Sequence, residues 1–193
     1  MKKRKVMRII DMSAVGSVGV RNAFGYLMTD ELVVLKQVIS ELPPKAVCIN
    51  IGAGSGTSGL AFIEDENIGQ LYTVDLYRQV RPEGGLGNEM EAFKTSGYGD
   101  DKRYHQICGD STTVGKEWTK GMVDMVFVDG DHSYEHCKSD IEAWLPHIKS
   151  GGIMALHDYE KDVWPGVARA VEETISQYKI IAKTSNFIAF RIT

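Results

Sequence analysis

The segment at residues 123–134 combines an apolar strand pattern with a cluster of chemically active side chains. Its sequence, VDMVFVDGDHSY, begins with hydrophobic residues typical of a buried strand. It then supplies two carboxylates and an imidazole from Asp129, Asp131 and His132. Burying such groups is costly unless they serve a purpose, and open parallel sheets bind ligands at the carboxyl ends of their strands. The segment therefore predicts a functional site, with Asp131 as the expected N-cap of a helix that begins near Ser133.

A glycine-rich turn follows a second apolar run and points to a different kind of chemistry. Residues 48–56, CINIGAGSG, pass from a strand pattern into the turn, and Asp75 ends the next strand pattern. Glycine lets a ligand approach the backbone closely, and a carboxylate placed like Asp75 can accept hydrogen bonds from both hydroxyls of a ribose. The turn and the acid together predict a nucleoside-containing ligand.

Apolar runs alternate with helical patterns along the chain, which predicts an α/β fold with a doubly wound sheet. The sheet is expected to be seven-stranded and mostly parallel, with an antiparallel last strand. The strand patterns cover residues 46–51, 71–74, 104–108, 123–128, 153–156, 179–182 and 187–192. The helical patterns cover residues 32–42, 57–64, 89–96, 133–148 and 165–178. We expect residues 29–193 to form one domain, and residues 13–28 and 78–88 to act as lids, the first within an N-terminal segment at 1–28.

The bulk composition excludes several classes of protein. The chain has 193 residues, a net charge of −4 and a pI of about 5.7, whereas a general nucleic-acid binder would be strongly basic. No apolar run reaches the roughly 18 residues of a membrane span. The three cysteines show no C-x-x-C spacing, and those at 48 and 108 lie in strand patterns, so we expect free core thiols and a cytoplasmic protein. A small-molecule substrate is expected, and a homo-oligomer remains open.

The chain resembles the class I S-adenosylmethionine-dependent methyltransferases, which have a Rossmann-like fold. The resemblance covers about residues 45–193 and depends on the order and spacing of five motifs. These motifs are INIGAGSG, YTVD, CGDS, VDMVFVDGDHSY and SGGIMALHDY. The last two are similar to the group catalogued as methyltransferase family 24, which resembles metal-dependent O-methyltransferases of the catechol and macrolide-sugar kinds.

The resemblance implies a set of residues that bind S-adenosylmethionine. The turn would line the methionine end of the cofactor, Asp75 would hold the ribose, Leu76 would pack on the adenine, and two further residues would lie at the adenine edge. The implied cofactor-binding residues are Gly52, Ala53, Gly54, Gly56, Asp75, Leu76, Asp110, Ser111 and Asp129.

The resemblance also implies a divalent metal, Mg²⁺ or Mn²⁺, and a catalytic base. Asp129, His157 and Asp158 fall where the metal-dependent relatives place their ligands, and His132 matches a histidine proposed as a general base. His157 departs from the relatives, which have an acidic residue there, and Mg²⁺ prefers oxygen ligands. It is therefore also open that His157 binds substrate or serves only as a hydrogen-bonding group.

The sequence predicts a transferase that methylates a small-molecule hydroxyl with help from a metal, a histidine or both. Asp129 and His132 are the expected catalytic residues. One alternative is a non-haem iron enzyme, with His132, His157 and one aspartate as a two-histidine, one-carboxylate site. Another is a non-catalytic module that binds the cofactor.

Overall fold

A seven-stranded sheet forms the centre of the chain, whose computed structural model describes residues 27–77, 86–160 and 162–193. The strands are β1 (Ala46–Ile51), β2 (Ile68–Asp75), β3 (Tyr104–Cys108), β4 (Val123–Val128), β5 (Ile148–His157), β6 (Lys179–Lys183) and β7 (Phe187–Arg191). The helices are α1 (Thr29–Ser40), α2 (Thr57–Ile63), α3 (Leu86–Thr95), α4 (Ser111–Lys116), α5 (Tyr134–Trp144) and α6 (Pro165–Thr174), and a short 3₁₀ helix covers Leu145–His147.

The strand order is β3-β2-β1-β4-β5-β7-β6, and this order brings the predicted site residues to one edge. Neighbouring strands from β3 to β5 are parallel, whereas β7 runs antiparallel to both β5 and β6. The predicted mixed sheet with an antiparallel last strand is therefore confirmed. The chain moves outward from β1 in one direction and from β4 in the other, so a crevice opens between their carboxyl ends, where open sheets bind ligands.

Helices cover both faces of the sheet, which explains why the central strands are mostly apolar. Ile49 and Val126 pack on the face covered by α5 and α6, whereas Cys48 and Phe127 pack on the face covered by α1 and α2. All six residues of β4 are buried. A strand that is buried on both faces has a nearly continuous hydrophobic sequence, as observed for residues 123–128, where Asp124 is the one polar residue.

The structure differs from the sequence-based expectations at several boundaries. The sequence patterns did not predict α4, a short helix with Gly115 in its interior. Strand β5 begins at Ile148 rather than near residue 153, because Ile148 already pairs with Val123 and the strand continues through the two glycines, of which Gly151 adopts a φ of +82°. Helix α6 ends at Thr174, short of the expected 178.

The cysteines and the expected lids complete the comparison. All three cysteines are free; Cys48 and Cys137 are buried, but Cys108 is exposed, so its prediction as a core thiol was wrong. Cys108 ends an outer strand and leaves its side chain in solvent. Most of the two predicted lids, including Arg78 and Arg81, lies outside the described residues. Among the helices that the structure describes, none is long and apolar enough to cross a membrane.

Candidate active site

The glycine turn and the end of β4 meet through a direct backbone contact. Gly52 has a φ of +87°, and a Cβ atom at this position would lie 1.9 Å from the carbonyl oxygen of Asp129. The Asp129 amide donates to the carbonyl oxygen of Ile51 and the Gly52 amide to that of Val74, each at 2.9 Å. Only glycine allows this approach at this φ. The two informative sequence patterns therefore lie at one place on the sheet edge.

Backbone amides from the glycine turn and from the segment after β2 hold the Asp75 carboxylate. Its Oδ2 accepts a hydrogen bond from the Ala53 amide at 2.8 Å, and its Oδ1 accepts one from the Tyr77 amide at 2.7 Å. Each carboxylate oxygen can accept a further hydrogen bond, so ribose hydroxyls can still be bound. Leu76 beside it is 42% exposed. Among the described residues, no atom would lie within 4 Å of a Cβ at Gly54, so this part of the structure leaves space over the turn. These features fit the predicted cofactor.

Asp110 and Ser111 make local contacts at the start of α4. Asp110 is the N-cap of that helix, and hydrogen bonds from Thr113 hold its pKa below the usual range. The Ser111 hydroxyl donates to Asp140 Oδ1 at 2.6 Å. Burial raises the pKa of Asp140, which lies four residues before Trp144 on the apolar side of α5. The role of Asp110 and Ser111 at the adenine edge stays a prediction. Asp140 was not among the predicted site residues, although a carboxylate on the apolar face of a helix is a sequence signal that could have marked it.

Asp129, His132 and Asp158 converge at the ends of β4 and β5. His132 Nε2 lies 2.8 Å from Asp158 Oδ2 and 4.0 Å from Asp129 Oδ1. One donor atom from each residue lies within 4.8 Å of the others, a spacing that can accommodate a metal ion. Asp158 adopts a φ of +57°, an uncommon backbone conformation that is often found at functional sites. Two carboxylates and one imidazole suit Mn²⁺, Fe²⁺ or Zn²⁺, and the carboxylates suit Mg²⁺.

His157 lies behind this group and is enclosed by carboxylates. Its Nδ1 is 3.1 Å from both Asp129 Oδ1 and Asp158 Oδ2, and its Nε2 is 2.9 Å from Glu31 Oε2. The ring is only 4% exposed. His132 thus forms the possible ligand group with the two aspartates, and His157 contacts the same two aspartates as a hydrogen-bonding neighbour. A ligand role for His157 stays a prediction, but both of its nitrogens already contact protein oxygens.

The pKa shifts follow from these contacts. Burial alone would lower the pKa of His157, but the hydrogen bonds to Asp129, Asp158 and Glu31 raise it to about 11. Burial would raise the pKa of Asp158, yet the hydrogen bonds from His132 and His157 hold it well below its usual range. The bond to Asp158 raises the pKa of His132, and burial raises that of Asp129. The inner group is thus a network of alternating acidic and basic side chains.

Three contacts of the site were not predicted from the sequence. Glu31 is separated from His157 by 126 residues, and no local pattern marks it. Asn186 donates to Asp158 Oδ1 at 3.1 Å. The Trp164 ring, 39% exposed, has its centroid 4.4 Å from that of His132.

The turn after Asp129 also differs from the expectation. Ser133, not Asp131, is the N-cap of α5. Asp131 Oδ1 instead accepts a hydrogen bond from the Ser133 amide at 2.8 Å, as in an Asx turn. The prediction for Asp131 was therefore wrong by two residues. Its carboxylate shapes the turn and lets Ser133 reach the capping position.

Comparison with known proteins gives a family match across the site. A family model described as "Methyltransferase domain", of methyltransferase family 24, matches residues 49–159. A demethylmacrocin O-methyltransferase from Streptomyces fradiae is 29% identical over 73 residues, which cover 36% of this chain and 18% of that protein. The alignments span a quarter or less of the length of the curated relatives that the chain matches.

Solved structures share the whole fold at low sequence identity. A protein from Corynebacterium glutamicum has a TM-score of 0.71 at 15% identity, with 92% of this chain and 91% of that chain covered. A TDP-rhamnose 3′-O-methyltransferase of calicheamicin biosynthesis has a TM-score of 0.63 at 18% identity, with 83% and 76% covered. At such identities the likeness concerns the fold.

Proposed function

Because this chain belongs to the class I S-adenosylmethionine-dependent methyltransferases, within methyltransferase family 24, we propose that it methylates a hydroxyl group of a small molecule. The observation that carries the proposal is the contact of Gly52 with the carbonyl oxygen of Asp129. Through this contact the predicted cofactor turn borders the Asp129, His132 and Asp158 group. A methyl donor over the turn and an acceptor at the group would meet at one edge.

The names of related proteins support an oxygen acceptor. One relative in sequence is a demethylmacrocin O-methyltransferase, and one relative in structure is a TDP-rhamnose 3′-O-methyltransferase. Both names specify transfer to oxygen. The sequence alignment is short and the structural identity is low, so oxygen as the acceptor atom of this chain is part of the proposal.

The glycine turn and Asp75 would bind the cofactor. The backbone of residues 52–56 would take its methionine end, and the Asp75 carboxylate, fixed by the Ala53 and Tyr77 amides, would accept hydrogen bonds from the ribose hydroxyls. When bound there, S-adenosylmethionine supplies a methyl group that its sulfonium already activates. The residues of the turn therefore need only bind and orient, and orientation alone can supply much of the rate.

The acceptor side would use Asp129, His132 and Asp158, which would hold a divalent cation. A cation bound there lowers the pKa of an acceptor hydroxyl. His132 would either complete the ligand set through Nε2, which faces both aspartates, or accept the hydroxyl proton. When the neutral ring donates from Nε2 to Asp158 Oδ2, at 2.8 Å, its lone pair is on Nδ1 and can take the hydroxyl proton. Asp158 then acts by orienting the imidazole.

The alternative iron site fits the donor set less well. Non-haem iron oxygenases use two histidines and one carboxylate. The group of potential ligands found among the described residues has one histidine and two carboxylates. Both nitrogens of His157, the second histidine of that alternative, contact carboxylate oxygens.

The test begins with calorimetric titration of the full chain with S-adenosylhomocysteine. We expect binding by the wild type and by His132→Gln, and loss of binding by Asp75→Ala. Turnover is then followed as S-adenosylhomocysteine formation from S-adenosylmethionine, with a panel of phenols and sugars and with added Mg²⁺ or Mn²⁺. We expect Asp129→Asn and His132→Gln to abolish turnover, whereas His136→Gln, an exposed histidine one turn away, keeps it.

Two results would overturn this assignment. A folded wild-type protein that does not bind S-adenosylhomocysteine is not a methyltransferase of this kind. Tight binding without methylation of any acceptor in the panel would favour the non-catalytic module.

A further inference from the structure

Glu31 is a fully buried carboxylate that reaches the site from the opposite end of the chain. It lies in the first turn of α1 and is 2% exposed. Its Oε2 accepts a hydrogen bond from the Met28 amide at 2.7 Å, which fixes the side chain to the start of the helix. The same oxygen lies 2.9 Å from His157 Nε2. Glu31 is therefore anchored on one side by backbone and contacts the site on the other.

The His157 ring connects Glu31 to the two aspartates of the site. Its Nδ1, on the far side of the ring from Glu31, lies 3.1 Å from Asp129 Oδ1 and 3.1 Å from Asp158 Oδ2. An imidazole is rigid, so fixing Nε2 also fixes the direction in which Nδ1 points. A ring whose two nitrogens contact carboxylates can orient those carboxylates, but it has no nitrogen left over for a metal.

We propose that Glu31 is a positioning residue of the divalent-cation site, and that it acts through His157 to orient the Asp129 and Asp158 carboxylates. This inference rests on the proposed function, because it needs a cation at the Asp129, His132 and Asp158 group. Hydrogen bonds behind metal-ligating side chains fix the ligand orientation, and their loss typically weakens metal binding about 10- to 100-fold.

A simpler role for Glu31 is to cap α1 and to balance the charge of His157. Both roles affect folding stability, but neither depends on where the Glu31 oxygen lies relative to the aspartates. Two variants separate these effects. Glu31→Asp keeps the charge but is one methylene shorter, so its oxygen withdraws from His157. Glu31→Gln keeps the length and an acceptor oxygen but removes the charge.

The experiment is a Mn²⁺ titration of the full chain, with free Mn²⁺ measured by its electron paramagnetic resonance signal. The variants are Glu31→Asp, Glu31→Gln and the control Asp30→Asn, an exposed acid in the same helical turn. We expect Glu31→Asp to weaken Mn²⁺ binding about 10- to 100-fold. Glu31→Gln should stay within about 3-fold of the wild type, since it preserves the contact. Asp30→Asn should bind like the wild type.

Other outcomes separate this inference from the proposed function. If the wild type binds Mn²⁺ and Glu31→Asp binds it equally well, Glu31 does not position the site, although the cation site stands. If Glu31→Gln loses affinity and Glu31→Asp keeps it, charge alone matters and the positioning role is wrong. If the wild type binds no Mn²⁺, both the cation site and the inference fail. Binding of S-adenosylhomocysteine should be unchanged in all variants, which also reports that each is folded.

Discussion

Replacing Gly52 with alanine perturbs the contact that joins the glycine turn to the end of β4. The added Cβ would lie 1.9 Å from the carbonyl oxygen of Asp129 and 2.7 Å from its carbonyl carbon. Side-chain carbons contact carbonyl oxygens at about 3.3 Å or more, so the two segments must separate by more than about 1 Å. The two Asp129 atoms belong to the backbone, so they cannot rotate away from the added Cβ as a flexible side chain would.

The magnitude follows from three costs. Holding alanine at a φ of +87° costs about 1–2 kcal/mol. Forcing extra volume into a packed region costs about 1–3 kcal/mol. The separation also stretches the hydrogen bond from the Asp129 amide to Ile51, worth about 1 kcal/mol. We therefore expect Gly52→Ala to lower the free energy of unfolding by about 3 kcal/mol or more and to abolish binding of S-adenosylhomocysteine.

Two other glycines provide matched controls for urea denaturation and calorimetry. Gly121 has a φ of +94° and Gly54 a φ of +49°, and a Cβ at either meets no atom of the described residues within 4 Å. In each of these alanine variants, backbone strain is the only expected cost, so the free energy of unfolding should fall by about 1–2 kcal/mol. Gly121→Ala should bind S-adenosylhomocysteine normally, whereas Gly54→Ala should bind it at least about 10-fold more weakly, since its methyl group fills the cofactor space. A Gly52→Ala protein no less stable than Gly121→Ala would refute the close contact.

Further predictions concern the folded domain. Burial raises the pKa of Glu89, so the folded protein favours the protonated carboxyl group. The contribution of Glu89 to stability should therefore be greatest below the unfolded carboxyl pKa of about 4.3. It should fall as the pH rises toward the pKa of Glu89 in the folded protein, by up to about 1.4 kcal/mol per pH unit. Glu89→Gln should remove this decline in urea melts between pH 4.5 and 8, while Glu91→Gln, on the same helix but exposed, should keep it; an unchanged slope in Glu89→Gln would contradict the cause. Asp110→Ala removes the N-cap of α4 and should cost about 1 kcal/mol in urea denaturation, and a loss below about 0.3 kcal/mol would argue against the cap. Phe127→Ala empties a fully buried position between α2 and the sheet and should cost about 3–5 kcal/mol, an expectation that a loss under 1 kcal/mol would exclude.

Local sequence patterns were enough to predict the fold, because the central strands are buried on both faces. The runs at β1 and β4 are apolar except for Asn50 and Asp124, and each is followed by a polar residue or a glycine, so both their type and their ends could be predicted. Helix α4 was not readable, because Thr112, Thr113 and Gly115 give it weak helical propensity and its cap provides much of its definition. Strand β5 was read as too short because its two glycines looked like a stop.

The candidate site was predictable only where chemistry coincided with strand ends. Asp129, His132 and Asp158 follow strands or lie in the turn just after one, and they do converge. Which of His132 and His157 is placed to ligate a metal depends on where the side chains at the end of β5 point, and the sequence pattern does not encode that direction. Glu31 was missed because its contact spans 126 residues, and helix periodicity alone would assign it to a helix cap.

The most direct test of the proposed site is a crystal structure with S-adenosylhomocysteine and Mn²⁺, examined for the anomalous signal of manganese. We expect the cofactor's methionine end over residues 52–56, its ribose at Asp75, and one manganese peak coordinated by Asp129, His132 and Asp158. A peak ligated by His157, or a crystal with bound cofactor and no manganese at this edge, would contradict the proposed metal site.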